Sequence, residues 1–522
     1  MFDRPMTWKR AFILSGLSCV LFPIASGPTV LAAEEPGATA LTIYSSAEPG
    51  ALPPELYNPS MAGHFGRVQV PGYAVVKQER PIELTQGRST VRFTDVAAQI
   101  DPTTVSFQSL TDPGTRVLEQ NYQFDLVSAD KIMERYLDQI ITVEQATGEQ
   151  IQTFTGKLLS TSGGVILQKA GQDKGVEIVR SYTNAKFPEL PGGLITKPTL
   201  VWDVATDKGG PHRVRVTYQT SAMTWWTDYN ITFAEGADAN SGLLDLGAWV
   251  SIINRSGATY NDARLKLIAG EVHRAPRPER RAGVMKMARE MAAPAMDQDG
   301  FEEKAFFEYY LYTLGRPTTL PDNSTKQIEL FPVARGVPCE KVLVYYGLQE
   351  GFRGFFGSPM SDREFGTQCN KKIDVYLRFK NEQKTGLGMP LPAGRIRVSK
   401  LDPADNSLEF IGEDAINHTP KDEEVLIKLG SAFDVVGERT QTDFQTDSRR
   451  RTMDETVEIK LRNHKTEPVK VIVKENLYRW TNWQIVESTH KYEKADARTI
   501  HFPVTVDKDG EVVIRYKVHY SW

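Results

Sequence analysis

Apolar and polar residues alternate with a period of two along much of the chain, most regularly at its C-terminal end. Between residues 512 and 522 an apolar side chain occupies every even-numbered position, and Phe502, Val504 and Val506 continue this pattern upstream. The pair Asp509-Gly510 lies between the two segments and tolerates the positive backbone angles of a tight turn. Alternation of this kind is typical of half-buried antiparallel strands. The chain is therefore predicted to end on a β-hairpin.

Similar segments recur on both sides of a boundary that Pro188, Pro191, Gly192-Gly193 and Pro198 mark. Beyond it, long alternating runs such as 213–220, 229–233 and 246–252 predict antiparallel β-sandwich structure over residues 199–522. Before it, residues 63–198 carry shorter apolar runs separated by turn residues, which predict an N-terminal β domain. The predicted fold class is mainly β, with antiparallel sandwich domains.

The N-terminal β domain is predicted to hold one short helix and a small barrel. Ile132, Met133, Tyr136, Leu137 and Ile140 follow the spacing of one helix face within residues 128–140, and Ser128 is a suitable N-cap. Four short strands with tight turns follow between residues 140 and 180. A small closed barrel is expected there, since closure removes exposed sheet edges.

Residues 1–33 have the composition of a secretory signal. Lys9-Arg10 precede an apolar stretch at 11–24, and small residues lead to a cleavage site near Ala33. The mature chain is expected to be periplasmic or secreted, without a transmembrane span, and residues 34–62 are interpreted as a flexible leader. A lipoprotein anchor at Cys19 is disfavoured, because the residue three positions upstream is Gly16 rather than an aliphatic one.

Composition narrows the function classes. The 522 residues exceed what a single core accommodates, and contents of 40% apolar and 25% charged residues are ordinary for globular proteins. A net charge of −4 supplies no basic field for nucleic acid. With Cys19 removed, Cys339 and Cys369 are predicted to form a disulfide in an oxidising compartment; two buried free thiols are the alternative.

Residues 274–300 interrupt the strand pattern. Arg274, Arg277, Arg280 and Arg281 cluster there, and a segment rich in methionine and alanine follows. A disordered, solvated insertion is the favoured interpretation. The alternative is a basic amphipathic segment that contacts an anionic membrane surface or a partner.

The sequence predicts no catalytic residue, metal site or cofactor. The eight histidines show no metal-ligand spacing on one helix face, and no Gly-x-Ser-x-Gly sequence occurs. Carboxylates that the fold brings together would support the alternative, a hydrolase acting on glycans or peptides.

Two clusters of aromatic residues are candidates for binding. Trp225 and Trp226 must point to opposite faces of a strand near Tyr229, so one of them can present a stacking surface for a sugar; packing in a core is the alternative. The second cluster lies among glycines at 351–357 and offers aromatic anchors to a partner, unless it tucks under a sheet: Phe352, Arg353, Phe355 and Phe356.

Several blocks after residue 200 resemble one protein family. The blocks are Arg215-Val216-Thr217-Tyr218 with Met223-Thr224-Trp225, the run 262–270, Glu308-Tyr309-Tyr310-Leu311-Tyr312 with Arg316-Pro317-Thr318, and Arg462-Asn463. Their order is that of the family called domain of unknown function 4139. The resemblance covers roughly residues 200–522 and implies an exported bacterial β protein. Many relatives carry an N-terminal coiled coil, which this chain lacks. The family name implies no activity, and no site residue is transferred.

The sequence thus predicts an exported, non-enzymatic β-sandwich protein with a binding or structural role in the cell envelope. Its partner is expected to be an envelope protein or a glycan, and its oligomeric state is not specified by any pattern in the chain.

Overall fold

Strands make up nearly all of the regular structure, as the alternation of apolar and polar residues predicts. The protein is seen in a computed structural model that describes residues 39–45, 52, 56, 70–147, 150–169, 175–189, 191, 194–270, 272–273, 301–306, 309–348 and 357–522. Helix α1 (Ala129–Arg135) and a 3-10 helix at Gln383–Thr385 interrupt the strands. The mainly β fold class is confirmed.

The strands before residue 274 are β1 (Thr39–Tyr44), β2 (Tyr73–Leu84), β3 (Gly87–Thr94), β4 (Ile100–Ser109), β5 (Arg116–Gln123), β6 (Ile140–Thr147), β7 (Gln150–Ser160), β8 (Val165–Lys169), β9 (Val176–Val179), β10 (Asn184–Lys186), β11 (Thr199–Thr206), β12 (Gly210–Ser221), β13 (Met223–Glu235), β14 (Ser241–Asn254) and β15 (Tyr260–Ala269).

The strands after residue 300 are β16 (Phe301–Phe306), β17 (Tyr309–Leu314), β18 (Thr318–Leu320), β19 (Ser324–Tyr346), β20 (Lys372–Lys380), β21 (Gly394–Leu401), β22 (Leu408–Ile416), β23 (Glu424–Asp447), β24 (Thr452–Asn463), β25 (Val469–Asn476), β26 (Trp483–Ser488), β27 (Glu493–Lys494), β28 (Thr499–Val506) and β29 (Glu511–Ser521).

These strands form sheets of eight, three, five and thirteen strands. The eight-stranded sheet runs β16-β17-β15-β1-β2-β12-β4 with β18 beside β15, the three-stranded sheet β3-β11-β5, and the five-stranded sheet β10-β6-β7-β8-β9. The thirteen-stranded sheet runs β22-β21-β13-β14-β19-β20-β23-β24-β29-β26, and β25 connects β19 to β28, which also pairs with β27. Most pairs are antiparallel, and β1 with β15, β13 with β21 and β19 with β25 are parallel.

Two long strands pair with different neighbours along their length. The first part of β19 pairs with β14, and its last part pairs with β20 and β25. Strand β23 likewise pairs first with β20 and then with β24. One apolar core draws residues from the eight-, three- and thirteen-stranded sheets, including Leu41, Trp202 and Trp225, and a second fills the C-terminal strands around Tyr345, Phe502 and Tyr516.

The predicted terminal hairpin is wrong. Both strands exist, but β28 pairs with β25 and β27, whereas β29 pairs with β24 and β26. Asp509, with φ of 47°, therefore turns the chain between two strands of the thirteen-stranded sheet that are not paired with each other. Alternation predicts that a strand is half-buried, but it does not specify which strand lies beside it.

The predicted small barrel at 140–180 is also wrong, because none of the sheets described here closes. Strands β6 to β10 form an open sheet whose inner face packs against α1 through Met133, Tyr136, Ile141 and Val143. The helix is present and shorter than the predicted 128–140. Ser128 caps it by accepting a hydrogen bond from the Lys131 amide at 3.2 Å.

Residues 39–44 form a strand where the sequence predicted a flexible leader. β1 lies inside the eight-stranded sheet, with Leu41 and Ile43 fully buried between β2 and β15. The described residues belong to one compact unit, Gly37–Trp522, and β11 and β12 pair with strands from before residue 198. The predicted boundary at residue 198 therefore does not separate the sheets. The signal at 1–33 and the insertion at 274–300 lie outside the described residues.

Three buried asparagines end strands in the same way. Asn254 donates from Nδ2 to the carbonyl oxygens of Ala258, Leu320 and Pro321. Asn463 donates to those of Glu467, Val506 and Asp507. The Oδ1 atom of each accepts the amide two residues ahead, and Asn381 makes related contacts with Met389 and Pro420. Each amide thus hydrogen-bonds to backbone carbonyl oxygens in the connections between strands.

Candidate functional site

Strands β13 and β14 direct alternate side chains to the core and to the outer face of the sheet. Trp225 is 1% exposed, and Tyr229 is fully buried with its hydroxyl donating to the Pro392 carbonyl at 2.7 Å. Trp226 lies on the opposite face and is half-buried, because successive side chains of a strand alternate. Of these three predicted residues, two belong to the core and only Trp226 reaches the outer face.

A buried carboxylate organises that outer face. Asp228 Oδ2 accepts hydrogen bonds from the indole nitrogen of Trp226 at 2.7 Å and from the Ser251 hydroxyl at 3.1 Å. The Ser251 hydroxyl in turn accepts the Gln327 side-chain amide at 3.0 Å, and Arg395 donates to Asp228 Oδ1 at 3.3 Å. Four neighbouring strands are therefore fixed to one another by side chains as well as by backbone.

Trp249 lies next to this carboxylate. It stands opposite Asp228 in the register of β13 and β14, and opposite Glu329 in the register of β14 and β19. Its side chain is 41% exposed in the middle of a central strand. The preceding residue on the same face is Gly247, where a Cβ atom would lie 3.3 Å from the Val333 side chain. Two residues before Trp249, the same face of β14 therefore carries no side chain.

Asn230 and Arg397 extend the same face. Asn230 is exposed and stands between Gly247 on β14 and Arg397 on β21. The guanidinium of Arg397 donates from Nε to Glu413 at 3.0 Å. We call the group formed by Asp228, Asn230, Trp249, Glu329, Arg395 and Arg397 the Trp249 face. It combines an aromatic surface with polar groups on rigid strands, as a binding site for a hydroxyl-rich ligand requires.

Trp249 is not among the binding residues predicted from the sequence, although the sequence carries a signal for it. Even-numbered positions of β14 point to the core, as the apolar residues Leu246, Ala248, Val250 and Ile252 indicate. Trp249 occupies an odd-numbered position and is therefore expected to point to the other face. A large aromatic residue on the solvent side of a central strand is unusual, since aromatic residues dominate cores. The polar neighbours of Trp249 come from strands distant in sequence and could not be assigned without the register.

The second predicted cluster, Phe352, Arg353, Phe355 and Phe356, lies outside the described residues. The predicted disulfide is corrected. Cys339 and Cys369 are free thiols, the first buried within β19 and the second paired with Leu348 beyond its end. Seven residues of extended strand separate Cys339 from the end of β19, which corresponds to about 20 Å, whereas bonded cysteines have Cα atoms within about 7 Å.

A buried charge network closes one end of the C-terminal core. Arg439 donates from Nε to Glu475 at 2.9 Å, and Arg479 contacts Glu455 at 3.0 Å, with all four side chains at most 2% exposed. The Tyr516 hydroxyl donates to Glu475. Burial, and then the Glu475 carboxylate, raise the pKa of Tyr516 well above its ordinary value. A solvent-borne substrate does not reach these groups, so the network is structural.

Arg479 forms hydrogen bonds with the backbone of a surface segment. Its guanidinium donates to the carbonyl oxygens of Met360 at 3.0 Å, Asp362 at 2.7 Å and Phe365 at 3.1 Å. These residues belong to the stretch 357–370, which we call the 357–370 segment. The guanidinium also lies 4.3 Å from the centre of the Phe444 ring. One side chain therefore ties this connection between β19 and β20 to the buried network.

A serine and a histidine form a close pair in the N-terminal half without the geometry of a hydrolase site. Ser109 Oγ lies 3.0 Å from Nδ1 of His212, whose Nε2 lies 3.0 Å from the Lys208 carbonyl. The nearby Asp112 carboxylate accepts hydrogen bonds from Thr115 and Thr206 rather than from the imidazole. Ser109 and His212 are also buried, so the group fixes a loop.

A shallow polar cleft lies on the outer face of the three-stranded sheet. Arg88, Thr90, Glu119, Asn121 and Asp203 contribute to its lining, and Arg88 pairs with Asp203 across it. Trp202, at its floor, is fully buried in the core. The cleft therefore offers no aromatic surface to a ligand, in contrast to the Trp249 face.

Within the described part of the chain, no three residues of the metal-binding types converge, and no helix has the length and apolarity to cross a bilayer. The model of the family described as Domain of unknown function (DUF4139) matches residues 214–522, which is more than half of the chain. Neither the curated proteins nor the solved structures include a match.

Proposed function

The chain belongs to the DUF4139 family, whose description assigns no activity, and we propose that it is an exported, non-enzymatic protein of the cell envelope that acts by binding through the Trp249 face. Export rests on the composition of residues 1–33. Binding rests on one observation, the 41% exposed indole of Trp249 on a rigid central sheet. An exposed aromatic residue that polar groups surround is a common feature of recognition surfaces.

The alternative of a hydrolase has weaker support. Its two carboxylates must face each other across a solvent-filled cleft. Glu455 and Glu475 are neighbours in one network, but each is engaged by an arginine and at most 1% exposed. On the Trp249 face, Asp228 is committed to Trp226, Ser251 and Arg395. These carboxylates hold structure together and are not available to transfer protons to a substrate.

Export and binding are tested separately. Full-length protein is expressed in the producing organism, and cytoplasmic and envelope fractions are probed with antibody; retention in the cytoplasm at full length refutes export. Purified wild type and Trp249→Ala are then immobilised and incubated with solubilised envelope. The wild type is expected to retain carbohydrate or protein that the variant does not, and equal retention by both refutes binding through this face.

A further inference from the structure

Both arginines of the Trp249 face are already paired with carboxylates. Arg395 contacts Asp228 at 3.3 Å, and Arg397 contacts Glu413 at 3.0 Å. Each arginine also lies within 4 Å of the other's partner, Arg395 at 3.8 Å from Glu413 and Arg397 at 3.6 Å from Asp228. Glu329, beside Trp249, adds a further negative charge. The face thus carries no excess of positive charge to attract an anionic polymer.

The polar groups are arranged at the spacing of the strands. Asn230, Gly247 and Arg397 lie in one row across β13, β14 and β21, and Arg395, Asp228, Trp249 and Glu329 lie in the adjacent row. Neighbouring strands are about 4.8 Å apart, which matches the spacing between hydroxyl groups across a sugar ring. Guanidinium and carboxylate groups that are fixed in ion pairs can still form further hydrogen bonds with hydroxyls, and the neutral Asn230 amide can both donate and accept them.

The aromatic surface has the size for one sugar ring. In the register of the sheet Trp249 stands between Asp228 and Glu329, and Gly247, two residues earlier on the same face, carries no side chain. A pyranose ring presents C–H groups on its face and hydroxyls around its edge. Stacked on the indole, the ring would direct its hydroxyls towards Asn230, Arg397 and Glu329.

Building on the proposed function, we propose that the ligand of the Trp249 face is an uncharged glycan, whose sugar ring stacks on Trp249 and whose hydroxyls bond to Asn230, Arg397 and Glu329. The carrying observation is the juxtaposition of an exposed indole with charges that already neutralise one another. A neutral polymer avoids the repulsion that Glu329 imposes on uronic acids and phosphates. Recognition by stacking and hydrogen bonds is also expected to depend little on salt.

The test uses carbohydrate extracted from the envelope of the producing organism and separated by anion exchange into neutral and acidic fractions. Full-length wild type, Trp249→Ala, Trp249→Phe and Asn230→Ala are run through gels that contain each fraction, and dissociation constants are taken from the retardation. Phe433→Ala is the matched control, because Phe433 is an aromatic residue 94% exposed on β23, a strand that contributes no residue to the Trp249 face.

The neutral fraction is expected to retard the wild type, and Trp249→Ala to weaken that binding at least about tenfold. Trp249→Phe should stay within about threefold of the wild type, because phenylalanine keeps a stacking surface. Phe433→Ala should bind like the wild type, and added salt should change nothing. Binding that depends on Trp249 but occurs only in the acidic fraction, or only with envelope protein, overturns the neutral-glycan inference and leaves the proposed function standing. Equal behaviour of wild type and Trp249→Ala in both carbohydrate fractions overturns the neutral-glycan inference, and the proposed function also falls if the two proteins retain the same material from solubilised envelope.

Discussion

Replacing Arg479 by methionine is predicted to be among the most damaging single changes in the C-terminal half. Methionine keeps an unbranched apolar side chain beside Phe444 but removes the guanidinium. Glu455, which is 1% exposed, then loses its ion-pair partner and keeps the hydrogen bond from the Tyr478 hydroxyl, which donates to it at 3.2 Å. The variant therefore leaves a buried carboxylate without its ion-pair partner.

Two contributions set the magnitude. Removing one partner of a buried ion pair costs about 3–5 kcal/mol of unfolding free energy. The carbonyl oxygens of Met360, Asp362 and Phe365 also lose their donor, and each would cost about 1–3 kcal/mol if it stayed buried. The 357–370 segment can open and expose these carbonyls to water instead. A global loss of about 3–5 kcal/mol is expected, together with local release of this segment.

The two effects are measured separately. Urea unfolding followed by tryptophan fluorescence reports the global loss, since Trp480 and Trp483 lie close to residue 479 in the chain. Tryptic cleavage after Arg363 and amide exchange across 357–370 report the local release. Arg450→Met is the matched control, because the Arg450 side chain is 85% exposed and its loss should be nearly silent. The double variant Arg479→Met/Glu455→Gln should recover part of the lost stability by removing the stranded charge.

The reasoning is refuted if Arg479→Met unfolds within about 0.5 kcal/mol of the wild type and protects the 357–370 segment equally well. Equal stability of the single and double variants would also contradict it, because the stranded Glu455 charge would then carry no penalty.

Further predictions concern a carboxyl group, the thiols and a strand end. Burial raises the pKa of Glu303 to about 7, although Lys421 acts in the opposite direction. Folding is favoured while this carboxyl is protonated, and that contribution is lost as the pH rises from about 4.5 to 7. Glu303→Gln should therefore stabilise the protein at pH 8 by on the order of 1 kcal/mol, after allowance for the partial exposure of the side chain. Urea titrations at pH 4.5 should show no gain in stability. Mass spectrometry under non-reducing conditions should find both thiols free. Cys339 should be alkylated only after unfolding, because burial raises its pKa to about 11. A disulfide-bonded Cys339–Cys369 peptide would contradict this prediction. Asn463→Ala should cost about 2–4 kcal/mol in the same unfolding assay, because several backbone carbonyls lose their donor, and a loss below about 0.5 kcal/mol would show that they find other partners.

The strands were predictable because burial imposes a period of two on each of them separately. Residues 512–522 and 213–220 show it clearly, and both are strands. Pairing was not predictable in the same way. The residues after Val506 are compatible with a hairpin turn and with a turn between strands that do not pair, since a positive backbone angle at Asp509 serves both. Contacts across the sandwich decide between the two, and these involve strands far away in the chain.

The repeated asparagines show a second limit. Asn254 and Asn463 are polar residues at the ends of strands, and such a residue locally indicates an ordinary turn. Their equivalence appears only when the carbonyl partners are known, because each reaches the residue four positions ahead and the end of a strand 43 to 67 positions ahead. Neighbouring sequence differs between the two sites, so no repeat is visible in the chain. The hydrogen bonds require a side-chain amide of the size of asparagine, whereas the neighbouring residues only have to adopt an extended backbone.

The Trp249 face brings these limits together. Its aromatic residue was detectable from parity alone, since Trp249 interrupts the polar side of β14. Its polar residues arrive from β13, β19 and β21, and the parallel pairing of β13 with β21 places Arg395 and Arg397 beside residues more than 160 positions earlier in the chain. Shifting β21 by one residue would bury both arginines and expose Ile396 and Val398, so the apolar core fixes the register. Because the same register aligns the ion pairs that neutralise the face, the packing of the core determines what charge a ligand meets beside Trp249.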